Sequence, residues 1–159
     1  MGVNQRHLIR MSRHEVDEFL ATSRTLSMAT FSPGGAIHLV AMWYGFLEGC
    51  VAVETKAKSQ KVQNLRRDPR ITVMVESGDR YEELKGVELV GQAEIVDESD
   101  RIWTLGVSVF ERYQGPYSEE MAPFVEQMLN KRVVIKVLPS KVVSWDHSKL
   151  GAGATPAPT

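Results

Sequence analysis

The chain has 159 residues, of which 43% are hydrophobic and 25% are charged, as is typical of a single globular domain with a buried core. Its 19 basic and 20 acidic residues nearly cancel, which excludes the global positive field of a general nucleic-acid or polyanion binder. Cys50 is the only cysteine, so an intrachain disulfide and a cysteine-based zinc site are also excluded.

The N-terminal twenty residues lack the apolar run of a signal peptide, and no segment of the chain approaches the roughly 20 apolar residues that cross a membrane. A single cysteine also fits a reducing compartment. We therefore expect a cytoplasmic protein that has neither a membrane nor a nucleic acid as its partner.

The first predicted helix lies within residues 12–23, where Ser12 and Glu15 have the spacing of a capping box ahead of apolar residues at helical spacing. Two extended segments follow, at 25–31 and 36–48. The Ser-Pro-Gly-Gly sequence between them predicts the turn of a hairpin.

Strands dominate the rest of the chain. They are predicted at 50–55, 70–76, 86–98, 132–139 and 141–147, with a helical excursion over 98–130. Six or seven mostly sequential strands predict a mainly β (α+β) fold, an antiparallel barrel closed so as to remove its edges, with flanking helices. We interpret residues 1–150 as one domain and expect the small-residue tail at 151–159 to be disordered.

Positive charge is concentrated in residues 54–70, where a predicted strand ends and a short helix begins. Ser59 is the predicted N-cap of that helix, and free backbone N–H groups and the positive end of the helix dipole suit a phosphate there. Arg66 and Arg67 offset the dipole in the last turn. Lys61 lies in the first turn, where a cation is unfavourable unless an anion is bound.

Two plainer interpretations remain open at this stage. The lysines of this segment are also compatible with ordinary solvated surface, and the aromatic residues of the strands with core packing. The four histidines are scattered without metal-ligand spacing, so no metal site is predicted. His38 and Tyr44 are weak candidates for proton donors, and no catalytic residue is identified.

Four segments carry a resemblance to a known family: "SMATFSPGGAIHLVAMWYGF", "VETKAKSQKVQNLRRDPR", "GVELVGQAEIVD" and "SWDHSKL". In this order they resemble the pyridoxamine 5′-phosphate oxidase-like split β-barrel superfamily, and within it the actinobacterial branch that binds the deazaflavin coenzyme F420. The resemblance implies an FMN-binding type of antiparallel split barrel, a homodimer, and two cofactor sites between the subunits. Members include oxidases, reductases of quinones, enones and biliverdin, and proteins with no assigned substrate.

Carried over to this sequence, the resemblance places the cofactor phosphate on Ser59, Gln60 and Lys61. It also implies further cofactor-binding residues. These are Lys56 and Lys58 beside the phosphate, Asn64 one helical turn further on, Met42, Trp43, Val53, Glu54 and Thr55 along the ring system, and Tyr81, Gln92 and Trp145, which in relatives often belong to the partner subunit.

The identity of the cofactor depends on departures from the FMN pattern. FMN-binding relatives usually have Ser-Arg-Lys where this chain has Ser59-Gln60-Lys61, and they end in an arginine-leucine motif that is missing here. Loss of an arginine removes a bidentate phosphate contact, whereas the remaining lysines suit the extended anionic tail of F420. We therefore expect F420 rather than FMN.

Three functions remain open at the level of the sequence. The first is an F420-binding oxidoreductase that transfers hydride to a small unsaturated substrate. The second is an FMN-dependent oxidase or reductase, and the third is a non-catalytic F420 carrier. Segments 41–46 and 132–137 are more apolar than one small barrel requires, which also predicts a homodimer.

Overall fold

The computed structural model describes residues 4–151. Residues 152–159, most of the tail predicted to be disordered, lie outside them. Within the described chain seven antiparallel strands form one sheet in the order β2-β1-β5-β6-β7-β4-β3. They are β1 (Leu26–Phe31), β2 (Ile37–Met42), β3 (Gly45–Leu47), β4 (Cys50–Lys56), β5 (Arg70–Ser77), β6 (Lys85–Val96) and β7 (Arg132–Asp146).

Four α-helices accompany the sheet: α1 (Arg13–Thr22), α2 (Gln60–Arg67), α3 (Ser99–Tyr113) and α4 (Ala122–Leu129). The predicted capping box of α1 is confirmed, because Ser12 Oγ accepts from the Glu15 amide at 3.2 Å and Glu15 Oε2 accepts from the Ser12 amide at 2.5 Å. None of the helices between residues 4 and 151 is long and apolar enough to cross a membrane.

The single strand predicted at 36–48 is wrong, because the chain breaks at Trp43 and Tyr44 into β2 and β3. The physical reason is Tyr44, which is fully buried and whose hydroxyl donates to the carbonyl of Leu20 at 2.5 Å. Because β2 and β3 end up as the two edges of the sheet, the barrel is not closed by hydrogen bonds. The predicted split-barrel fold is confirmed. The predicted closure of the barrel, which would leave no edge strand, is wrong.

The two strands predicted at 132–139 and 141–147 are one strand, β7. The pairing with β6 shifts between Val90, opposite Lys141, and Gly91, opposite Pro139, so Ser140 forms a β-bulge. Proline has no N–H to donate to a neighbouring strand. It is tolerated beside a bulge because the regular hydrogen-bond ladder is interrupted there. Gly91 is required there, since a Cβ would lie 2.1 Å from the carbonyl oxygen of Leu138.

The core lies on both sides of β4. Val51 and Val53 point into the barrel, where they join the main cluster with α1 and α2, whereas Ala52 packs toward α3. Helix α3 comes close to β3, because a Cβ on Gly45 would lie 2.8 Å from Ser108 Oγ. This double burial fixes the end of β4, from which α2 begins.

The outer face of the sheet is defined by its register. Leu39 pairs with Ala29, Ala29 with Thr72, and Thr72 with Val90, and directly opposed residues share a face. Leu39 and Ile37 on this face are each 67% exposed. An apolar surface of β2 is therefore accessible in the single chain.

Candidate cofactor site

The junction of β4 and α2 presents unpaired backbone donors. Ser59 is the N-cap, as predicted, with φ −68° and ψ 154°, but its side chain makes no capping hydrogen bond. Its hydroxyl lies 3.5 Å from Thr55 Oγ1 instead. Because the Ser59 hydroxyl does not occupy them, the amides of the first turn are available to an anion.

Lys61 is the cation with the clearest need for an anion. It is partly buried in the first turn of α2, and its pKa is lowered by burial and then by the positive charge of Arg132. Within residues 4–151 no acidic side chain forms an ion pair with it. Lys56 differs, since its ammonium donates to the carbonyl of Asn130 at 2.9 Å. Lys58 is exposed.

Asn64 is fully buried, and its link to the candidate site is its hydrogen bond with Gln60. Its Nδ2 donates to Thr30 Oγ1 at 3.1 Å, and its Oδ1 accepts from Gln60 Nε2 at 2.8 Å. The side chain of Gln60 is therefore held in place by a hydrogen-bond chain that ties α2 to β1. In this arrangement Asn64 supports Gln60 and does not face a ligand.

The arginines at the end of α2 are engaged elsewhere. Arg67 donates to the carbonyl of Phe31 at 2.5 Å, and Arg70 forms an ion pair with Asp68 at 2.6 Å. Arg66 is exposed. Arg67 and Arg70 are thus held by partners near the C-terminus of α2, away from the free amides of its first turn.

The residues predicted to line the ring system differ in exposure. Val53 and Thr55 are buried, at 0% and 4% exposure, so their side chains serve the core. Glu54 is partly buried next to Arg132, and this burial raises its pKa. Met42 is half-buried against the core, whereas Trp43 is 55% exposed. Trp43 therefore offers the most accessible flat surface of this group.

Tyr81 and Trp145 do not join the lysines within one chain, whereas Gln92 pairs with Arg70, three residues after the end of α2. Lys56 pairs with the first residue of β7 and Trp145 lies near its other end, about 40 Å of strand away. Gln92 and Trp145 share the outer face of the sheet with Leu39, as the register shows. Tyr81 is 44% exposed and its ring lies 4.5 Å from that of His147.

The sequence matches the family model of pyridoxamine 5′-phosphate oxidase over residues 12–146. The chain belongs to the pyridoxamine 5′-phosphate oxidase family. The resemblance of the four sequence segments to the pyridoxamine 5′-phosphate oxidase-like superfamily is thereby confirmed, and the F420-binding branch stays a prediction. No protein with curated annotation matches the chain.

Solved structures with the pyridoxamine 5′-phosphate oxidase fold are similar along most of the chain. The conserved hypothetical protein Rv2991 from Mycobacterium tuberculosis is 48% identical with a TM-score of 0.92, over 99% of this chain and 98% of that one. An F420 reductase is 25% identical with a TM-score of 0.59, over 79% of this chain and 94% of that one. The heme storage protein HutZ from Vibrio cholerae is 18% identical with a TM-score of 0.65, over 83% of this chain and 94% of that one.

Two residues that lie near the predicted cofactor site were not predicted from the sequence. Tyr113 of α3 stacks on Trp43, and Arg132 of β7 lies beside Glu54 and close enough to Lys61 to affect its pKa. Both are about 70 residues away from their neighbours in the sequence. Only the pairing of β4 with β7 and the packing of α3 on β3 bring them in, and neither can be read from local patterns.

The two candidate proton donors, Tyr44 and His38, are both at least partly buried. Tyr44 is buried, and burial raises its pKa to about 12, which makes its hydroxyl a very weak acid. His38 is half-buried on β2, and its Nδ1 is buried without a hydrogen-bond partner among residues 4–151. The same part of the chain holds no cluster of three or more His, Cys, Asp or Glu side chains that could bind a metal ion.

A large cavity of about 670 Å³ lies away from the lysines. It opens between α1 and the mouth of the barrel, and its walls include Val16, Leu20, Phe46 and Val142. No residue of α2 contributes to it. The size of a cavity therefore does not point to the same place as the charge.

Proposed function

We propose that the protein binds coenzyme F420 and, with the cofactor in its reduced form, passes hydride to a small unsaturated substrate. The observation that carries the proposal is Lys61, a partly buried cation in the first turn of α2 that is placed next to another cation and has no acidic partner among residues 4–151. Such an arrangement is unfavourable unless an anion completes it.

The residues at the junction fit the anionic part of F420. Lys61 and the first-turn amides of α2 would hold the phosphate, with the Ser59 hydroxyl free to add a hydrogen bond. Lys56 and Lys58 precede the helix and would meet the extended, negatively charged tail. Gln60 would help through its backbone, because its side-chain amide already donates to Asn64.

The ring system would lie on the side of Met42 and Trp43, beside β4. When bound, F420 supplies the hydride itself, so the chain's residues need to bind, orient and exclude water. Trp43, the exposed member of this group, would stack on a flat conjugated ring.

A homodimer completes the proposed site. Tyr81 and Trp145 lie far from Lys61 along the sheet of one chain, and Gln92 lies on the outer face of the sheet, so we propose that these residues approach the cofactor from the partner subunit. The support is the apolar outer face at Ile37 and Leu39, which is exposed in the single chain. The apolar residues at 133–137, which first suggested a partner, are buried within the chain itself.

F420 is favoured over FMN because a glutamine stands where FMN-binding relatives usually have an arginine. The two cofactors can be titrated side by side into the purified protein and followed by fluorescence. We expect F420 to bind more tightly than FMN, and its affinity to fall as salt is raised, since ionic contacts are screened. Tighter binding of FMN would overturn the choice of cofactor.

A carrier that binds F420 without catalysis is the second candidate. The observation that favours it is the burial of Tyr44, whose hydroxyl is bonded to a backbone carbonyl and is too weak an acid to protonate a reduced substrate. Reduced F420 can be mixed with the protein and a panel of quinones, enones and tetrapyrroles. Oxidation of F420 that depends on both protein and acceptor supports the reductase. Tight F420 binding without turnover favours the carrier.

A further inference from the structure

Arg132, the first residue of β7, lies on the strand that pairs with the end of β4. Its direct cross-strand partner is Lys56. It also approaches Glu54, with 3.2 Å between Arg132 Nε and Glu54 Oε2. Arg132 is therefore at the same end of the sheet as the N-terminus of α2, although 71 positions separate it from Lys61 in the sequence.

The ion pair of Arg132 and Glu54 is incomplete. Both Arg132 Nε and Glu54 Oε2 are buried, and neither makes a hydrogen bond with any residue between 4 and 151, because the geometry of their contact is poor. A guanidinium has five N–H donors in a fixed fork. Buried polar groups are normally hydrogen-bonded, so the unpaired Nε–H donor of Arg132 points to a missing acceptor.

The charge around Arg132 indicates what that partner is. Arg132 is close enough to Lys61 for its charge to disfavour the protonated form of the lysine, and within residues 4–151 Glu54 is the one carboxylate that forms an ion pair with Arg132. Two cations and one carboxylate leave a net positive charge beside the free amides of α2. An anion with more than one acceptor oxygen would satisfy both cations together.

We propose that Arg132 is a second ligand of the anion that binds at the N-terminus of α2, so that a phosphate group is held between the Lys61 ammonium and the Arg132 guanidinium. The inference rests on the proposed function, because it concerns the same site. Lys61 supplies a compact charge, whereas Arg132 supplies a planar fork that can bind two phosphate oxygens. The cation missing from position 60, where FMN-binding relatives usually have arginine, would thus be supplied by a different strand.

The test uses a double variant, Glu54→Gln/Arg132→Gln. Substitution of Arg132 alone would leave Glu54 as a buried, unpaired charge, and misfolding would then imitate a loss of binding. The double variant removes both charges, so the net charge of the protein is unchanged and a general electrostatic effect predicts no difference. Arg66→Gln is the matched control, because it removes an exposed cation from the other end of α2.

Two probes separate the phosphate from the rest of the cofactor. Inorganic phosphate is followed through the amide NMR shifts of Lys61 and Val62, and F420 through its fluorescence. We expect the double variant to bind both probes at least about tenfold more weakly than the unaltered protein. A hydrogen bond to a charged group is worth at least that factor in affinity. Arg66→Gln should bind both like the unaltered protein, and the melting curve of each variant shows whether it is folded.

The outcomes separate this inference from the function on which it rests. If the double variant binds both probes normally while Lys61→Ala binds them weakly, Arg132 is not a ligand and the proposed function stands. If neither the double variant nor Lys61→Ala changes the binding, the anion site is elsewhere and both proposals fail.

Discussion

The ring of Trp43 lies parallel to the ring of Tyr113, with centroids 4.2 Å apart and planes inclined by 4°. The ring of Tyr113 is held in place by two hydrogen bonds, because its hydroxyl accepts from the Tyr44 amide at 3.1 Å and donates to the carbonyl of Arg24. Trp43 is thereby held as a flat, half-exposed platform at the break between β2 and β3.

The first prediction concerns this platform. Trp43→Leu should weaken F420 binding by about 0.5–1.5 kcal/mol, the value of a lost aromatic stack, and should lower the melting temperature only modestly, because the half-exposed indole loses its stack on Tyr113 but leaves no buried cavity. A fluorescence titration measures the first and a thermal melt the second. The control is Trp103→Leu on α3, which should not alter the affinity. Equal F420 affinities of the Trp43→Leu and Trp103→Leu variants would show that Trp43 does not contact the cofactor.

A second prediction concerns the buried amide of Asn64. Asn64→Ala should destabilise the protein by about 1–3 kcal/mol, because it leaves Thr30 and Gln60 without their partner. Gln63→Ala, at an exposed position of the same helix, should have little effect on stability. Chemical denaturation measures both. Since Asn64 is fully buried, the F420 affinity of the folded variant should change less than its stability, and a selective loss of affinity would contradict this placement.

The third prediction is the assembly state. Light scattering at micromolar concentration should give twice the mass of the 159-residue chain. The double variant Ile37→Lys/Leu39→Lys should be monomeric, because two charges on the exposed face of β2 oppose burial against a partner. Met121→Lys, at an exposed position outside this face, is the control and should stay dimeric. A monomer in the unaltered protein would contradict the proposed two-subunit site.

The fourth prediction is a pH dependence of stability. Glu48 accepts hydrogen bonds from Arg101 at 2.8 Å and 3.0 Å and contacts Lys136, and these partners lower its pKa from 4.5 to about 2. A carboxylate with a depressed pKa stabilises the folded state above pH 4.5, and this contribution is lost as the pH falls toward 2.

The variant Glu48→Gln should therefore lower the melting temperature at pH 7 and flatten its fall between pH 4.5 and pH 2. Glu82→Gln is the control, since Glu82 is exposed and has no ion pair within the described chain. Parallel melting profiles for Glu48→Gln and the unaltered protein would show that the ion pairs of Glu48 are not maintained in solution.

Local patterns predicted what local chemistry determines. The capping box at Ser12 and Glu15, the N-cap at Ser59 and the helical excursion between the last two strands of the chain are present in the structure. The break at Tyr44 and the bulge at Ser140 were missed, because both depend on partners that are distant in the sequence. Tyr44 leaves the strand to reach Leu20 in α1, and Ser140 bulges where β6 comes close at Gly91.

The candidate site divides in the same way. The cations around Ser59 could be predicted, since they follow one another at a strand-to-helix junction. The role of Asn64 could not, because its burial depends on Thr30 of another strand. Tyr113 and Arg132 reach the site only through the tertiary fold.

The central claim is that the N-terminus of α2 binds the phosphate of F420 through Lys61, and titration of F420 into Lys61→Ala and Arg66→Ala tests it most directly. Both variants lose one positive charge from α2, but only Lys61 is partly buried at the junction with β4. Lys61→Ala should weaken binding by about 1.5–3 kcal/mol, the value of a charge-assisted hydrogen bond, and Arg66→Ala should bind F420 like the unaltered protein. Equal affinities for F420 in the two variants would contradict the account.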